Sequence, residues 1–310
     1  MNGPTATEPF VHPALFYRDE QEYVDGTVPF IREGLKVGEP VAVAVPGPNL
    51  TVLKESLGPD AASVRFLDMT EVGRNPGRII PTVLRAFADA HPTTRVRIIG
   101  EPIWPGRSSL EYPACAQHEA LINPAFQGRE VTILCPYDAD RLDERVLTDA
   151  YATHPVVVSG GRRQPSPSYA PGQVVDRYNQ RLAPAPASAE SRVFGIDGLS
   201  AVRHAAVEHA TRLGLSGVRL DDFTLAVAEL TTNSVVHGGG SGSLRVWAED
   251  TLLVCEVRDR GQLTDPLAGR RPAARDQHGG RGLLLVHTVA DLVRIHTRGD
   301  GTAIRFYISR

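Results

Sequence analysis

Cysteine is scarce in this chain: Cys115, Cys135 and Cys255 are its three among 310 residues. They are too few and too scattered for a disulfide framework, and a reducing cytoplasm is the simplest setting. Long apolar runs are missing as well. No stretch approaches the ~18 uninterrupted apolar residues that span a bilayer, so no membrane partner is expected. The opening MNGPTATEPFVHP has neither the basic n-region nor the apolar h-region of an export leader. A strong charge of either sign is also lacking. The formal net charge is −3, which leaves no footprint of a nucleic-acid binder. What is present is ordinary for a globular protein, with 42% hydrophobic and 22% charged residues. The length accommodates about two domains, each able to bury its own core.

From residue 14 to about 158, apolar runs alternate with amphipathic segments. ALFY, PVAVAV, SVRFLDM, RVRIIG and EVTILCP read as short buried strands. Val24, Val28, Ile31 and Leu35 share one face at helical periodicity, although Pro29 falls inside that helix and disfavours its regularity. Further helices are expected over 48–56, 76–90, 108–126 and 140–151. This alternation predicts an α/β domain over 1–158, with a mostly parallel sheet covered on both faces. Residues 159–190 are rich in Pro, Ser and Ala and read as a linker, in which VVDRYNQRL has room for one or two docked helical turns. Over 191–310 the pattern changes. Leu199, Val202, Ala206, Val207 and Ala210 mark one helix. Phe223, Val227, Leu230 and Ser234 mark another, with Asp221 or Asp222 expected as its cap. A hairpin of SLRVWAE and TLLVCEVRD turns at Asp250, a polar loop spans 262–277, and GLLLVHTVA reads as a third helix. Strands LVRIHT and AIRFYIS close the chain around RGDGT. Helices segregated to one face of such a sheet predict an α+β sandwich.

Four short motifs follow one another in this second domain. In Glu229-Leu-Thr-Thr-Asn233-Ser-Val-Val-His237-Gly-Gly, the residues Glu229, Asn233 and His237 recur every four positions and form a polar stripe beside the apolar face. The Asn233 amide offers a neutral hard oxygen suited to Mg²⁺, which keeps most of its shell for water and phosphate. Glu229, one turn earlier, is placed to take a proton from an attacking hydroxyl. The second motif, Asp259-Arg-Gly261, ends a strand. Its carboxylate suits an exocyclic amine of adenine, and Gly261 admits a close backbone approach. The third, Gly279-Gly280-Arg281-Gly282-Leu283, opens a helix whose exposed amides favour phosphate. The fourth is Gly301-Thr302, whose hydroxyl is expected to back Asp259. Each motif alone is weak, but their order and placement make a specific signal.

Together these motifs resemble the GHKL ATPases, and the compact ELTTNSVVHGG with its short lid is most similar to the RsbW-like anti-sigma serine kinases. The resemblance covers about 192–310 and implies ATP and Mg²⁺ as cofactors. It implies Asn233 as the Mg²⁺ holder, Glu229 as catalytic base and Asp259 as the adenine contact. His237, Gly261, Gly280, Gly282, Leu283 and Thr302 are then expected along the nucleotide, with 262–279 as the ATP lid. Arg281 departs from the apolar residue frequent there, and either reaches the γ-phosphate or points to water. The implied partners are a sigma factor and a STAS-type anti-anti-sigma protein, the latter phosphorylated on Ser or Thr, and a homodimer is compatible with the pattern. A non-catalytic nucleotide-gated binding module is the alternative. An orphan histidine kinase is a weaker one, because no long dimerisation segment stands before the domain. His204 is accordingly read as a surface histidine.

The first domain resembles a MEDS domain, a sensory fold of RecA-like type, over about 11–158. The resemblance is carried by His12, GLKVGEPVAVA, Gly100-Glu101, His118-Glu119-Ala-Leu-Ile-Asn123, Cys135-Pro-Tyr137-Asp138 and Thr153-His154-Pro155. After PVAVAV the loop PGPNL lacks the GK[ST] of a phosphate cradle, so no P-loop nucleotide is expected. His12, Glu101, His118, Glu119, Cys135 and His154 are candidates for a sensory pocket taking a small-molecule signal. HEALI lacks the second His of HExxH and no close Cys pair exists, so a metal is the less favoured occupant. Cys135 reads as a small buried hydrophobe ahead of a redox thiol.

Overall fold

In the first half the apolar runs become strands buried on both faces, as a parallel sheet flanked by helices requires. Val41–Val45, for instance, is buried at every position. The computed structural model describes residues 9–273 and 280–310, and the chain divides between Tyr178 and Asn179 into two units. The first unit runs β1 (Phe10–Val11), β2 (Pro13–Tyr17), α1 (Glu20–Lys36), β3 (Val41–Val45), α2 (Gly47–Leu57), β4 (Val64–Asp68), α3 (Met69–Val72), α4 (Pro76–Ile79) and α5 (Arg85–Asp89). It continues β5 (Val96–Gly100), α6 (Tyr112–Phe126), β6 (Val131–Asp138), α7 (Glu144–Thr153), β7 (Val156–Ser159), β8 (Arg162–Pro165) and α8 (Pro171–Tyr178). Its sheet has the order β4-β3-β5-β6-β2-β7-β8, with β1 beside β6. All pairs are parallel except β7 with β8.

Two prolines are absorbed differently. Pro29 lies within α1, which nevertheless runs unbroken, started by the Asp19 carboxylate accepting from the Glu22 N–H and anchored by buried Tyr23, Val28 and Ile31. Pro81 has no N–H for the ladder, and a π-type stretch over Ile80–Leu84 joins α4 to α5. The stretch read as a linker is partly built into structure. β8 pairs antiparallel with β7, and the docked turns expected in VVDRYNQRL are α8, with Val174 and Tyr178 buried. The Tyr178 and Tyr112 hydroxyls both donate to the Asp149 carboxylate.

The second unit contains β9 (Glu190–Gly195), α9 (Leu199–Arg212), α10 (Gly217–Val236), β10 (Ser241–Glu249), β11 (Leu252–Asp259), α11 (Gly282–Val289), β12 (Leu292–Arg298) and β13 (Gly301–Ser309). Its sheet, β12-β13-β11-β10-β9, is antiparallel throughout. The helices bury Val202, Ala206, Phe223, Val227, Leu230 and Val286 against Phe194, Val246, Cys255 and Phe306 of the sheet. The hairpin turns at Asp250 with φ 49°, a left-handed conformation that Asp tolerates better than most residues. The opposite sheet face buries a Glu256–Arg305 pair, with Arg305 Nη2 also donating to the Ala183 carbonyl. Asn179 brackets β12 by donating to the Thr297 carbonyl (2.8 Å) and accepting from its N–H (3.0 Å).

Two expectations are corrected here. Helix α10 begins at Gly217 after Ser216, so Asp221 and Asp222 lie inside it and cap nothing. Asp222 instead pairs with Arg219 at 2.8 Å. Strand β9 was not anticipated, because only Phe194 of its six residues is buried and no alternation marks it. Among the described residues no helix is long and apolar enough to cross a membrane.

Candidate functional site

The polar stripe of α10 holds as far as geometry allows. Glu229 and Asn233 lie one turn apart, and His237 is the residue that ends the helix. Glycines bring other segments onto this stripe. At Gly282, the first residue of α11, a methyl group would sit 2.4 Å from Glu229 Oε2 and 3.4 Å from Asn233 Nδ2. At Gly261 it would meet the His237 carbonyl at 2.6 Å. Side chains at these positions would fill the space between helix and loops, which is what a phosphate-admitting cradle must avoid.

Asp259, the last residue of β11, is held by both oxygens. Ser234 Oγ donates to Oδ2 at 2.7 Å and the Gly261 N–H donates to Oδ1 at 2.9 Å. Each oxygen keeps a further lone pair. Thr302 does not back this carboxylate as expected. Its hydroxyl donates to the Gly261 carbonyl at 2.8 Å and meets Thr297 Oγ1 at 2.9 Å, so it supports the turn after Asp259. The reason is register: Thr302 pairs across the sheet with Asp259, which brings its side chain beside the outgoing chain.

A cavity of about 660 Å³ opens here, lined among others by Asn233, His237, Asp259, Gly261, Gly280, Gly282, Leu283 and Thr302. Its size falls within the range usual for small-molecule sites. The segment read as a lid supplies the facing wall through Leu263, Leu267 and Ala268. Residues 274–279 of that lid, Gly279 included, lie outside the described residues. Gly280 has φ 73°, the left-handed region that favours glycine. Two candidates are off the lining. Arg281 is exposed beside the start of α11, and Glu229 is half-buried behind Gly282. Sequence reading missed Ser234, which sits among the apolar-face positions of α10. It also missed Gly238, where a methyl would lie 2.4 Å from Asp259 Cγ. The only signal for either was adjacency to Asn233 and His237. His204 is exposed on α9 and lies 3.3 Å from Glu208.

In the first unit the six sensory candidates do not form one pocket. His12, Glu119, Cys135 and His154 converge, with their ligating atoms all within 4.8 Å of one another. Glu101 is held elsewhere, accepting from Tyr17 at 3.2 Å and from Asn49 at 2.8 and 3.0 Å. His118 is buried next to Glu119 without joining the group. Burial pushes the Glu101 carboxyl up to about 8. Burial, followed by the neighbouring His154, lowers His12 to about 4, and burial raises the Cys135 thiol.

Comparison with known proteins adds two family matches. Residues 11–155 match MEDS, the methanogen/methylotroph, DcmR sensory domain. Residues 196–308 match the histidine kinase-like ATPase domain. The chain is 33% identical over 98 residues to a serine-protein kinase RsbW of Halalkalibacterium halodurans, covering 28% of this chain and 60% of that one. It is 30% identical over 97 residues to an anti-sigma F factor of Clostridium acetobutylicum, covering 27% and 66%. The chain thus spans less than two thirds of either relative. The crystal structure of the RsbU and RsbW domains of a Mycobacterium tuberculosis protein aligns at 22% identity and a TM-score of 0.30, over 42% of this chain and 35% of that one.

Proposed function

We propose that this chain, a MEDS domain followed by a histidine kinase-like ATPase domain, is an ATP-dependent partner-switching regulator of the anti-sigma kinase kind. The observation that carries the reading is the convergence of Asn233, Asp259, Gly261, Gly280 and Gly282 on one cavity. The fit to Mg·ATP rests on the glycine-bared cradle and on the carboxylate–amide donor set, which suits an adenine amine at one end and a hard cation at the other. Bound ATP would supply the transferable phosphoryl group, and Mg²⁺ would neutralise its charge. Asn233 would hold the cation through its side-chain oxygen. Asp259, fixed by Ser234 and the Gly261 N–H, would accept from the base. Amides at the start of α11 would face the phosphates. Glu229 would take the proton from an incoming Ser or Thr hydroxyl.

In this reading the ATPase domain docks a sigma factor and phosphorylates a STAS-type anti-anti-sigma protein, with differential affinity for the two partners doing the switching. The MEDS domain biases the switch in response to a small-molecule signal, in the cytoplasm. The test is incubation with labelled ATP and a STAS protein: Glu229→Ala should abolish transfer while ATP still binds. One observation favours a second reading. Glu229 lies behind Gly282 and off the cavity lining, as suits a module that binds nucleotide and transfers nothing. Nucleotide-dependent partner capture without phosphate transfer would select that reading.

A further inference from the structure

His12 precedes β2, Glu119 lies on α6, Cys135 on β6, and His154 ends α7. All four side chains are at most 1% exposed. The separations are 3.1 Å from His154 Nε2 to Glu119 Oε2, 3.6 Å from His12 Nε2 to the same oxygen, and 3.4 Å from Cys135 Sγ to His12 Nε2. Zinc bond lengths of about 2.05 Å to N or O and 2.3 Å to S give tetrahedral edges of about 3.3 Å and 3.6 Å. The two N–O edges bracket the first length, the N–S edge is about 0.2 Å short of the second, and the remaining pairs lie within 4.8 Å.

The outer partners of both imidazoles aim the same way. His12 Nδ1 faces Asn123 Oδ1 at 3.2 Å, and His154 Nδ1 faces the Ala150 carbonyl at 2.9 Å. Both are acceptors, and the Thr153 hydroxyl 3.0 Å from His154 Nδ1 is itself engaged in donating to the Asp149 carbonyl, so a proton on each Nδ1 satisfies these partners and leaves both Nε2 lone pairs for a ligand. Those lone pairs face a carboxylate whose two oxygens accept no hydrogen bond among the described residues. His154 Nε2 likewise makes none. Two nitrogens and a carboxylate therefore converge with one thiol proton among them. Buried acceptors stacked in this way are costly unless a cation sits between them.

We propose that His12, Glu119, Cys135 and His154 bind one Zn²⁺ ion in a closed tetrahedral site inside the MEDS domain. The thiolate and imidazoles suit zinc over harder divalent ions. As the Zn–S bond forms, the Cys135 S–H bond breaks and its proton leaves to solvent. The site draws on two strand-side segments and the helices on either side, so its loading is tied to folding of the domain.

The test uses the full chain, purified without chelator and also refolded in the presence of Zn²⁺ or Co²⁺. Elemental analysis should find about one zinc per chain. The cobalt form should show intense tetrahedral d–d bands in the visible and a thiolate-to-metal charge-transfer band in the near ultraviolet, a readout on the wild-type chain that needs no variant. Cys135→Ser should lose the charge-transfer band, and His154→Gln should weaken zinc binding at least tenfold, with circular dichroism and Mg·ATP binding reporting that the chain is folded. Absence of stoichiometric zinc after both preparations would overturn the proposal and leave a proton as the bridging cation. A cobalt spectrum without the thiolate band, or one unchanged in folded Cys135→Ser, would do the same.

Discussion

Replacing Asp259 by Asn changes one atom of the cavity and reverses its hydrogen-bonding sense. The carboxylate accepts from Ser234 Oγ and from the Gly261 N–H. An amide can satisfy only one of these with its oxygen, and Ser234 must turn its hydroxyl to accept from the new N–H₂. Charge-assisted bonds contribute ~1.5–3 kcal/mol and neutral ones ~0.5–1.5 kcal/mol, so the half-buried site should lose about 1–2 kcal/mol of stability. For a unit of this size that lowers Tm by roughly 3–8 °C. The ligand suffers more selectively. An adenine amine facing an amide N–H₂ is left unpaired at ~1–3 kcal/mol, which raises the ATP Kd about 5- to 150-fold. Guanine carries an acceptor where adenine carries a donor, so the preference for ATP over GTP should narrow or reverse. Titration calorimetry of both Mg-nucleotides against wild-type and Asp259→Asn chains measures this. If the variant binds ATP within threefold of wild type, or the ATP:GTP ratio does not move, Asp259 is not reading the base.

Gly282→Ala places its methyl against Glu229 Oε2, the far end of a flexible side chain. The fold should survive, but the methyl also reaches 3.4 Å from Asn233 Nδ2 and crowds the glycine-bared cradle, so titration calorimetry should find weaker Mg·ATP binding and phosphotransfer should fall ~10- to 100-fold from a displacement of about 1 Å. Gly301→Ala is different in kind. With φ 119° and the Asp259 carbonyl 2.1 Å from the added atom, it should lower the urea midpoint by the equivalent of more than ~2 kcal/mol. Glu101, raised to about 8 by burial, keeps its proton in the folded chain over a range where the unfolded chain has released it. Stability is therefore full at or below the unfolded pKa and is lost as pH rises toward 8, at up to ~1.4 kcal/mol per pH unit. Calorimetric unfolding from pH 5 to pH 8 should show this slope in the transition that Mg·ATP does not shift, and Glu101→Gln should flatten it.

The candidate site of the second unit is legible because its signals are local. Glu229 and Asn233 announce themselves by a four-residue spacing on a helix with a clear apolar face, and the glycines at 261, 280 and 282 stand where loops meet that helix. Ser234 was not legible, since its position on α10 belongs to the apolar face and its partner Asp259 is 25 residues away. The partner of Thr302 lies two residues beyond the one its position suggests, at Gly261 in place of Asp259, because strand register, not sequence, decides which acceptor its hydroxyl meets. In the first half β2 to β6 follow from apolar runs alone, whereas β1, β7 and the exposed β8 do not. His12, Glu119, Cys135 and His154 stand in the sequence among six candidates, but nothing there separates these four from Glu101 and His118, because the four come from separate segments with no shared spacing. Glu101 is adjacent to none of the four and finds its donors on β2, α1 and α2.

Ser234 and Asn233 are consecutive residues on one turn of α10. Ser234 clamps the group that would grip the ring end of a nucleotide, and Asn233 would grip the ion at its tail. The same stiff rod therefore sets the distance between the two ends, as a ruler does. A tilt of α10 would shift both grips together, so a protein pressing on its outer surface could loosen the whole nucleotide at once.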